Sequence, residues 1–162
     1  MKKYTFPEPG CYRCPYYQRV GETRYCTGFK RRKPRRFRSS DPKIKAPRWC
    51  PRRITPPICR IYGFADERSE YMELVLQRDF TRTNPSPYHY KVRMEIPLGM
   101  TAKRFYDETQ MDFPKNILPP DTEIRTGEII EIDDGLQPYY FYVSSFASVT
   151  PLPFFQMQNQ NK

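Results

Sequence analysis

The sequence predicts an α+β fold rich in strands, in which an N-terminal four-cysteine module packs on a small antiparallel β domain with one short helix. Three observations predict it. The chain has 18 prolines against 7 glycines, with 13 tyrosines and 11 phenylalanines, a composition typical of short strands and loops. Four of the five cysteines lie in its first third. Later segments alternate apolar and polar residues, which is the period of a strand with one buried face.

Alternation and turn signals predict strands at residues 58–64, 71–78, 88–96, 128–133 and 139–149. The second and third of these would pair as a hairpin, and the last two would pair around the turn Asp133-Asp134-Gly135. Residues 101–109 predict the helix, with Thr101 as its N-terminal cap.

We expect three regions: a basic four-cysteine module at 1–57, the strand-rich domain at 58–150 and a flexible polar tail at 151–162. The charge is divided in the same way. Residues 1–60 hold 18 Lys/Arg and 3 Asp/Glu, whereas residues 61–162 hold 10 Lys/Arg and 15 Asp/Glu. Such asymmetry between halves indicates a basic binding module joined to an acidic domain.

The cysteines predict a structural zinc site. Cys11 and Cys14 form a C-x-x-C pair, whose spacing lets one tight turn direct two thiolates at one point; Cys26 and Cys50 would complete a tetrahedral set. A closed four-thiolate site leaves no position for substrate, so the metal would stabilise and not catalyse. Cys59 begins an apolar strand and is expected to be a buried thiol, with replacement of Cys50 as the fourth ligand left open. Free thiols and a redox C-x-x-C pair are the alternatives.

The residues around these cysteines carry a resemblance. The pattern Cys11-x-x-Cys14-Pro15, then Tyr25-Cys26, then Pro47-x-Trp49-Cys50-Pro51 resembles the four-cysteine motif of small proteins from bacteriophages and prophages. It covers about the first 53 residues and departs by a long basic insertion before the fourth cysteine. The resemblance implies a phage or mobile-element origin, with expression in the bacterial host cell, and implies no activity.

A basic run with interleaved aromatics lies between the third and fourth cysteines. Seven of the nine residues from Lys30 to Arg38 are Lys or Arg. If the loop is ordered, this charge suits phosphate binding, and some aromatic rings can stack on unpaired bases. The residues expected to bind nucleic acid or a partner are Lys30, Arg31, Arg32, Lys33, Arg35, Arg36, Phe37, Arg38, Lys43, Lys45, Arg48, Arg52 and Arg53. We expect Trp49 to pack inside the module instead of binding a partner. The alternative interpretation of the basic run is a solvated loop without a binding role.

The sequence lacks the residues that several classes of enzyme require. His89 is the only histidine and is expected on the polar face of a strand, so paired-histidine metal sites are excluded. No phosphate-binding glycine loop or G-x-S-x-G motif occurs. Carboxylates that could bind Mg²⁺ for phosphoryl chemistry are Asp107, Glu108, Asp112, Asp121, Glu123, Glu128, Glu131, Asp133 and Asp134.

The sequence therefore predicts a non-enzymatic, zinc-stabilised protein that binds nucleic acid or a nucleoprotein complex through its basic module. One concrete version is an inhibitor of a host defence nuclease, such as a CRISPR effector. The alternatives are a phage structural or assembly protein with protein contacts only, and a metal-dependent nuclease using the C-terminal carboxylates. Because no run approaches the ~20 apolar residues of a membrane span and no apolar signal core follows Met1, we expect a cytoplasmic protein without a membrane partner. The sequence leaves the oligomeric state open.

Overall fold

The computed structural model describes residues 4–76, 85–144 and 148–157. The chain is α+β and rich in strands, which confirms the predicted class. It divides into two compact units: the first is residues 1–53 with 135–137, and the second is residues 54–134 with 138–162. No helix within the described ranges has both the length and the apolar character that a bilayer crossing requires.

The first unit holds a three-stranded antiparallel sheet in the order β1-β2-β3, preceded by a 3-10 turn at Cys11–Arg13. The strands are β1 Tyr17–Val20, β2 Thr23–Cys26 and β3 Arg35–Arg36. Gly21 begins the two-residue turn between β1 and β2 with φ +58, a conformation that glycine adopts without a Cβ clash. The basic run thus enters the sheet as β3 instead of forming a detached loop.

The second unit is built on a five-stranded antiparallel sheet in the order β5-β4-β6-β7-β8. Its strands are β4 Ile58–Phe64, β5 Tyr90–Pro97, β6 Ile129–Asp133, β7 Pro138–Val143 and β8 Val149–Pro151. The helices are α1 Glu67–Tyr71, continued by a π-helical turn at Met72–Leu76, α2 Ala102–Thr109 and α3 Pro114–Ile117. A 3-10 turn spans Pro87–His89.

Helix α2 begins where the sequence predicts. The Thr101 hydroxyl accepts a hydrogen bond from the Arg104 N–H at 3.3 Å, which satisfies one of the unpaired donors of the first turn. Phe105 is fully buried and its ring centroid lies 5.5 Å from that of Phe141 on β7. The cap therefore sets the start of the helix, and this aromatic contact holds it on the sheet.

The opposite side of the sheet carries a second buried cluster, which includes part of the predicted tail. Tyr62, Ile129 and Tyr142 pack there with Leu152 and Phe155. Leu152 and Phe155 of the predicted flexible tail therefore belong to the core, although Phe154 between them is 90% exposed. Met157 packs against the same cluster, and the predicted tail from 158 lies outside the described residues.

The hairpin predicted from residues 71–78 and 88–96 is wrong. Residues 67–76 are helical, and β5 pairs with β4 instead. The Asp66 carboxylate accepts the Ser69 N–H at 2.7 Å as an N-terminal cap, a helix-start signal that outweighs the alternation of Met72 and Leu74. Residues 77–84 lie outside the described residues.

The final hairpin is confirmed in β6 and β7, with Gly135 at φ +82 in its turn. The second predicted strand, 139–149, is divided between β7 and β8 and does not run unbroken. Strand β7 lies between β6 and β8, and its central position agrees with the apolar residues on both of its faces.

Candidate metal centre and basic surface

Two tight turns and the end of a strand position the four N-terminal cysteines. The Cys14 N–H donates to the Cys11 carbonyl at 2.8 Å, which closes the 3-10 turn of the C-x-x-C pair. Cys26 ends β2. The Cys50 N–H donates to the Pro47 carbonyl at 3.1 Å, so the fourth cysteine also lies in a hydrogen-bonded turn. Each thiol therefore belongs to a locally ordered piece of backbone.

These four cysteines line a single small cavity of about 10 Å³. This is roughly the space that one water-sized sphere occupies, and it suits one ion. The remaining wall is formed by Tyr17, Phe37, Pro47 and Trp49. The structure thus brings together the cysteines that the sequence selected, and it places Cys50, not Cys59, at this cavity.

The donor set fits Zn²⁺, because four thiols around an ion-sized cavity supply the ligands of a closed structural site. Across 4–76, 85–144 and 148–157, no three His, Cys, Asp or Glu side chains already form a group that could hold a metal ion. The four thiols share the cavity, and they are the residues that would hold the ion.

Burial and repulsion from neighbouring thiols disfavour the ionised form of two of these thiols, Cys11 and Cys26. The pKa of Cys11 is raised to about 11, chiefly by burial and then by the neighbouring thiols of Cys50, Cys14 and Cys26. Burial also raises the pKa of Cys26, although a hydrogen bond from the Gly28 N–H opposes it. Because metal binding requires thiolates, a bound ion would displace protons here, and its affinity would rise with pH.

Gly28 serves this cavity by its small size. The sequence suggests a left-handed backbone at Cys26-Thr27-Gly28, but Gly28 is not among the described residues with positive φ. A Cβ at Gly28 would instead lie 3.1 Å from Pro51 and 3.2 Å from the Tyr16 ring. The absence of a Cβ at Gly28 therefore allows Pro51 and Tyr16 to pack closely against it, and the backbone conformation does not call for glycine.

An aromatic cluster forms the wall of the cavity and accounts for Trp49. Its ring lies 4.9 Å from Phe37 and 6.1 Å from Phe29, centroid to centroid, and the Arg35 guanidinium lies 4.3 Å above it. The indole N–H donates to Asp41 at 2.9 Å. Trp49 is thus a packing residue, as predicted.

Sequence reasoning missed Asp41, which fixes the basic segment. Its carboxylate accepts the Arg38 N–H at 2.7 Å as well as the Trp49 indole N–H at 2.9 Å. The pKa of Asp41 is lowered, first by the Arg38 backbone hydrogen bond and then by the Trp49 hydrogen bond. Its isolation among cations, as one of 3 acidic residues in the first 60, is the signal that could have identified it.

Two residues predicted to bind a partner are structural. Phe37 is only 7% exposed, because it belongs to the aromatic wall. Arg53 is half-buried, and its guanidinium donates to the carbonyls of Pro47 at 3.0 Å and Ala46 at 2.9 Å. The cysteine-bearing turns thus use both side chains for their own packing.

Three further predicted binding residues have local partners but remain exposed. Arg35 lies over the Trp49 ring, Lys45 lies 3.2 Å from Glu8, and the Arg52 guanidinium lies 3.8 Å from the Cys14 sulfur. The other predicted cations are exposed at the surface of the first unit: Lys30, Arg31, Arg32, Lys33, Arg36, Arg38, Lys43 and Arg48. Within this set, the pairing of β3 with β2 orders the backbone of Arg36, and the Asp41 carboxylate accepts the Arg38 N–H. The charge of these two arginines is therefore held on a defined surface.

Cys59 lies fully buried on β4 of the second unit. Burial raises its pKa to about 12, with a further contribution from Glu131. This is the environment of an inert structural thiol.

His89 differs from its predicted solvated position. It lies in the 3-10 turn before β5, and its Nδ1 is 2.6 Å from a carboxylate oxygen of the buried Glu73. The same oxygen accepts the Ser86 N–H at 3.1 Å. Glu73, which the apolar alternation predicted to lie in a strand, is helical. It thus supplies the hydrogen-bond partner of His89.

Two carboxylates of the second unit are buried in ion pairs with arginines of the sheet. Glu128 accepts from Arg93 Nε at 2.8 Å and from Nη2 at 2.9 Å. Glu131 accepts from Arg60 Nη1 at 2.7 Å and from the Tyr62 hydroxyl. Such satisfied pairs are typical of a polar layer on a sheet.

The carboxylates on helix α2 are also paired. Lys103 Nζ lies 2.5 Å from Asp107, and Arg104 Nε lies 2.6 Å from Glu108. Both are pairs four residues apart on one helical surface, an arrangement that stabilises exposed helices modestly.

Comparison of the chain with family models, curated proteins and solved structures finds no match.

Proposed function

We propose that the first unit is a zinc-stabilised binding module whose exposed cations contact the phosphates of a nucleic acid, alone or within a nucleoprotein complex, without catalysis. The observation that carries the proposal is the placement of the cysteines. All four line one ion-sized cavity, and the basic segment lies between Cys26 and Cys50 in the sequence. A metal there would fix the segment, since ion binding is coupled to the folding of modules with small cores.

The charge of the first unit supports phosphate as the partner chemistry. Residues 1–53 hold 17 Lys/Arg and 3 Asp/Glu, and most of the predicted cations are exposed. Arginine predominates, and its planar guanidinium can bind phosphate through two hydrogen bonds. Phosphate contacts release counterions, so six of them would lower affinity about a thousandfold between roughly 50 and 200 mM salt.

The biological setting that we propose is a phage or mobile element. It rests on the motif around Cys11, Cys14, Cys26 and Cys50 alone. Inhibition of a host defence nuclease, such as a CRISPR effector, is the specific form of the proposal, because a compact basic surface can compete for the nucleic acid of such a complex. If excess protein leaves cleavage by the effector unchanged, the proposed inhibition is rejected. The proposed binding of nucleic acid by the first unit would not be affected by that result.

The test of the proposal is the salt dependence of binding. Titration of the native protein into labelled RNA and DNA should give affinity that falls steeply with salt. Replacing Lys30, Arg31, Arg32 and Lys33 by alanine should reduce the slope of log K against log salt by about 3 to 4. Substitution of Lys103 and Arg104 on α2 by alanine is the matched control and should leave the slope unchanged.

Two results would contradict this function. Absence of binding at low salt would exclude direct nucleic-acid contact. Mg²⁺-dependent cleavage of either nucleic acid by the purified protein would show that it is an enzyme and would point to the carboxylates instead.

A further inference from the structure

Two tyrosines are the exposed aromatic rings of the described part of the first unit. Tyr12 is 63% exposed and Tyr16 is 44% exposed. The other rings of that part are partly or fully buried, as the aromatic wall around Trp49 illustrates. Exposed rings on a strongly basic unit combine the two features with which proteins hold unpaired bases.

Glycines hold both rings in place. A Cβ at Gly10 would lie 2.5 Å from the Tyr12 ring, and a Cβ at Gly28 would lie 3.2 Å from the Tyr16 ring. Each ring therefore packs directly over a glycine backbone while much of its surface stays exposed. Because this packing restricts the rings beforehand, little conformational entropy remains to be lost on stacking.

The backbone on either side is also fixed, and cations lie close by. Tyr12 is the centre of the 3-10 turn between Cys11 and Arg13, and the Arg13 guanidinium lies 5.6 Å from the Tyr12 ring centroid. The Tyr16 carbonyl accepts the Thr27 N–H at 2.9 Å. Tyr12 thus lies within the C-x-x-C turn and Tyr16 lies two residues after it, both on ordered backbone. A positive group lies beside Tyr12.

We infer that the module prefers single-stranded nucleic acid, with Tyr12 and Tyr16 as stacking surfaces for unpaired bases and the neighbouring cations as phosphate contacts. The inference rests on the proposed function. Bases in a duplex are already stacked on each other and expose only their edges, so an exposed ring gains contact only with a strand whose bases are unpaired.

Substitution of each ring by leucine tests the inference, because leucine keeps apolar packing over the glycine and removes the aromatic face. We expect Tyr12→Leu and Tyr16→Leu each to weaken binding to a single-stranded RNA or DNA oligonucleotide about tenfold. Affinity for the same sequence annealed to its complement should stay within about twofold. Tyr12→Phe and Tyr16→Phe should retain wild-type affinity, since base stacking uses the ring and not the hydroxyl.

Val20→Ala is the matched control, because Val20 is 69% exposed on the same unit and carries no ring; it should bind as wild type. Unchanged metal content and circular dichroism identify variants that remain folded. If the native protein binds both forms equally and the leucine variants bind as wild type, the single-strand preference is wrong while phosphate binding stands. If the native protein binds neither form at low salt, the proposed function and this inference both fail.

Discussion

The two units of the chain differ in how much apolar surface they bury. The first unit buries few apolar side chains among its described residues, namely Cys26, Phe37 and Ala46 with Pro47. The second buries many more, including Ile129, Ile130 and Ile132 of β6. Hydrophobic burial stabilises a fold in proportion to apolar area, so the second unit has a core of its own, whereas the first requires an additional constraint.

This difference in burial bears on which unit can carry a high density of positive charge. A unit held by burial loses free energy when charges crowd its surface, because they repel each other in the compact state. A unit held at four cysteines by an ion can carry 17 Lys/Arg in 53 residues, because metal binding supplies about 10–16 kcal/mol at neutral pH in small zinc modules. In our account this is why the basic segment lies between cysteines.

Replacing one cysteine in each unit distinguishes stabilisation by metal binding from stabilisation by apolar burial, and it has the largest expected effect. Cys26→Ser should abolish stoichiometric zinc and unfold the first unit, since a structural site needs all four ligands. Cys59→Ala should retain zinc and cost only about 1 kcal/mol in the second unit, for a methyl-sized cavity in a packed core. Elemental analysis and amide hydrogen exchange measure both outcomes. Loss of zinc from Cys59→Ala, or retention in Cys26→Ser, would contradict the ligand set.

Truncation of the aromatic core should affect the second unit alone. Phe105→Ala removes the fully buried ring that contacts Phe141 and should lower the free energy of unfolding by about 3–5 kcal/mol. Denaturant titration followed by circular dichroism reports the change, and zinc content should be unaltered. A cost below about 1 kcal/mol would show that α2 is not held by this contact.

The smallest effect is expected at the cap of α2. Thr101→Ala removes the hydroxyl that accepts the Arg104 N–H and should cost about 1 kcal/mol, whereas Thr101→Ser keeps the acceptor and should be nearly neutral. Equal stabilities for the two variants in the same titration would exclude a capping role.

Local chemistry made part of the fold predictable from sequence. The Thr101 cap, strand β4 and the Asp133-Asp134-Gly135 turn depend on neighbouring residues, and each is found where it was predicted. The cysteine spacing likewise identified the residues that share the cavity.

The features that were predicted wrongly depend on partners distant in sequence. The burial of Phe37 depends on such partners as well, because Trp49 and the cysteines that enclose it lie on other turns. His89 meets Glu73 only because residues 67–76 are helical. Alternation of apolar residues over a short segment fits both a strand and a helix with a partly buried face. Periodicity alone therefore could not identify residues 67–76 as helical.

The central claim is that a metal ion holds the cysteine-bearing unit. The most direct measurement is elemental analysis of the native protein combined with amide hydrogen exchange before and after chelation. We predict stoichiometric zinc, and loss of amide protection in residues 4–53 on chelation while β4 and β6 keep theirs. A metal-free protein whose residues 4–53 stay protected in the presence of chelator would contradict the account.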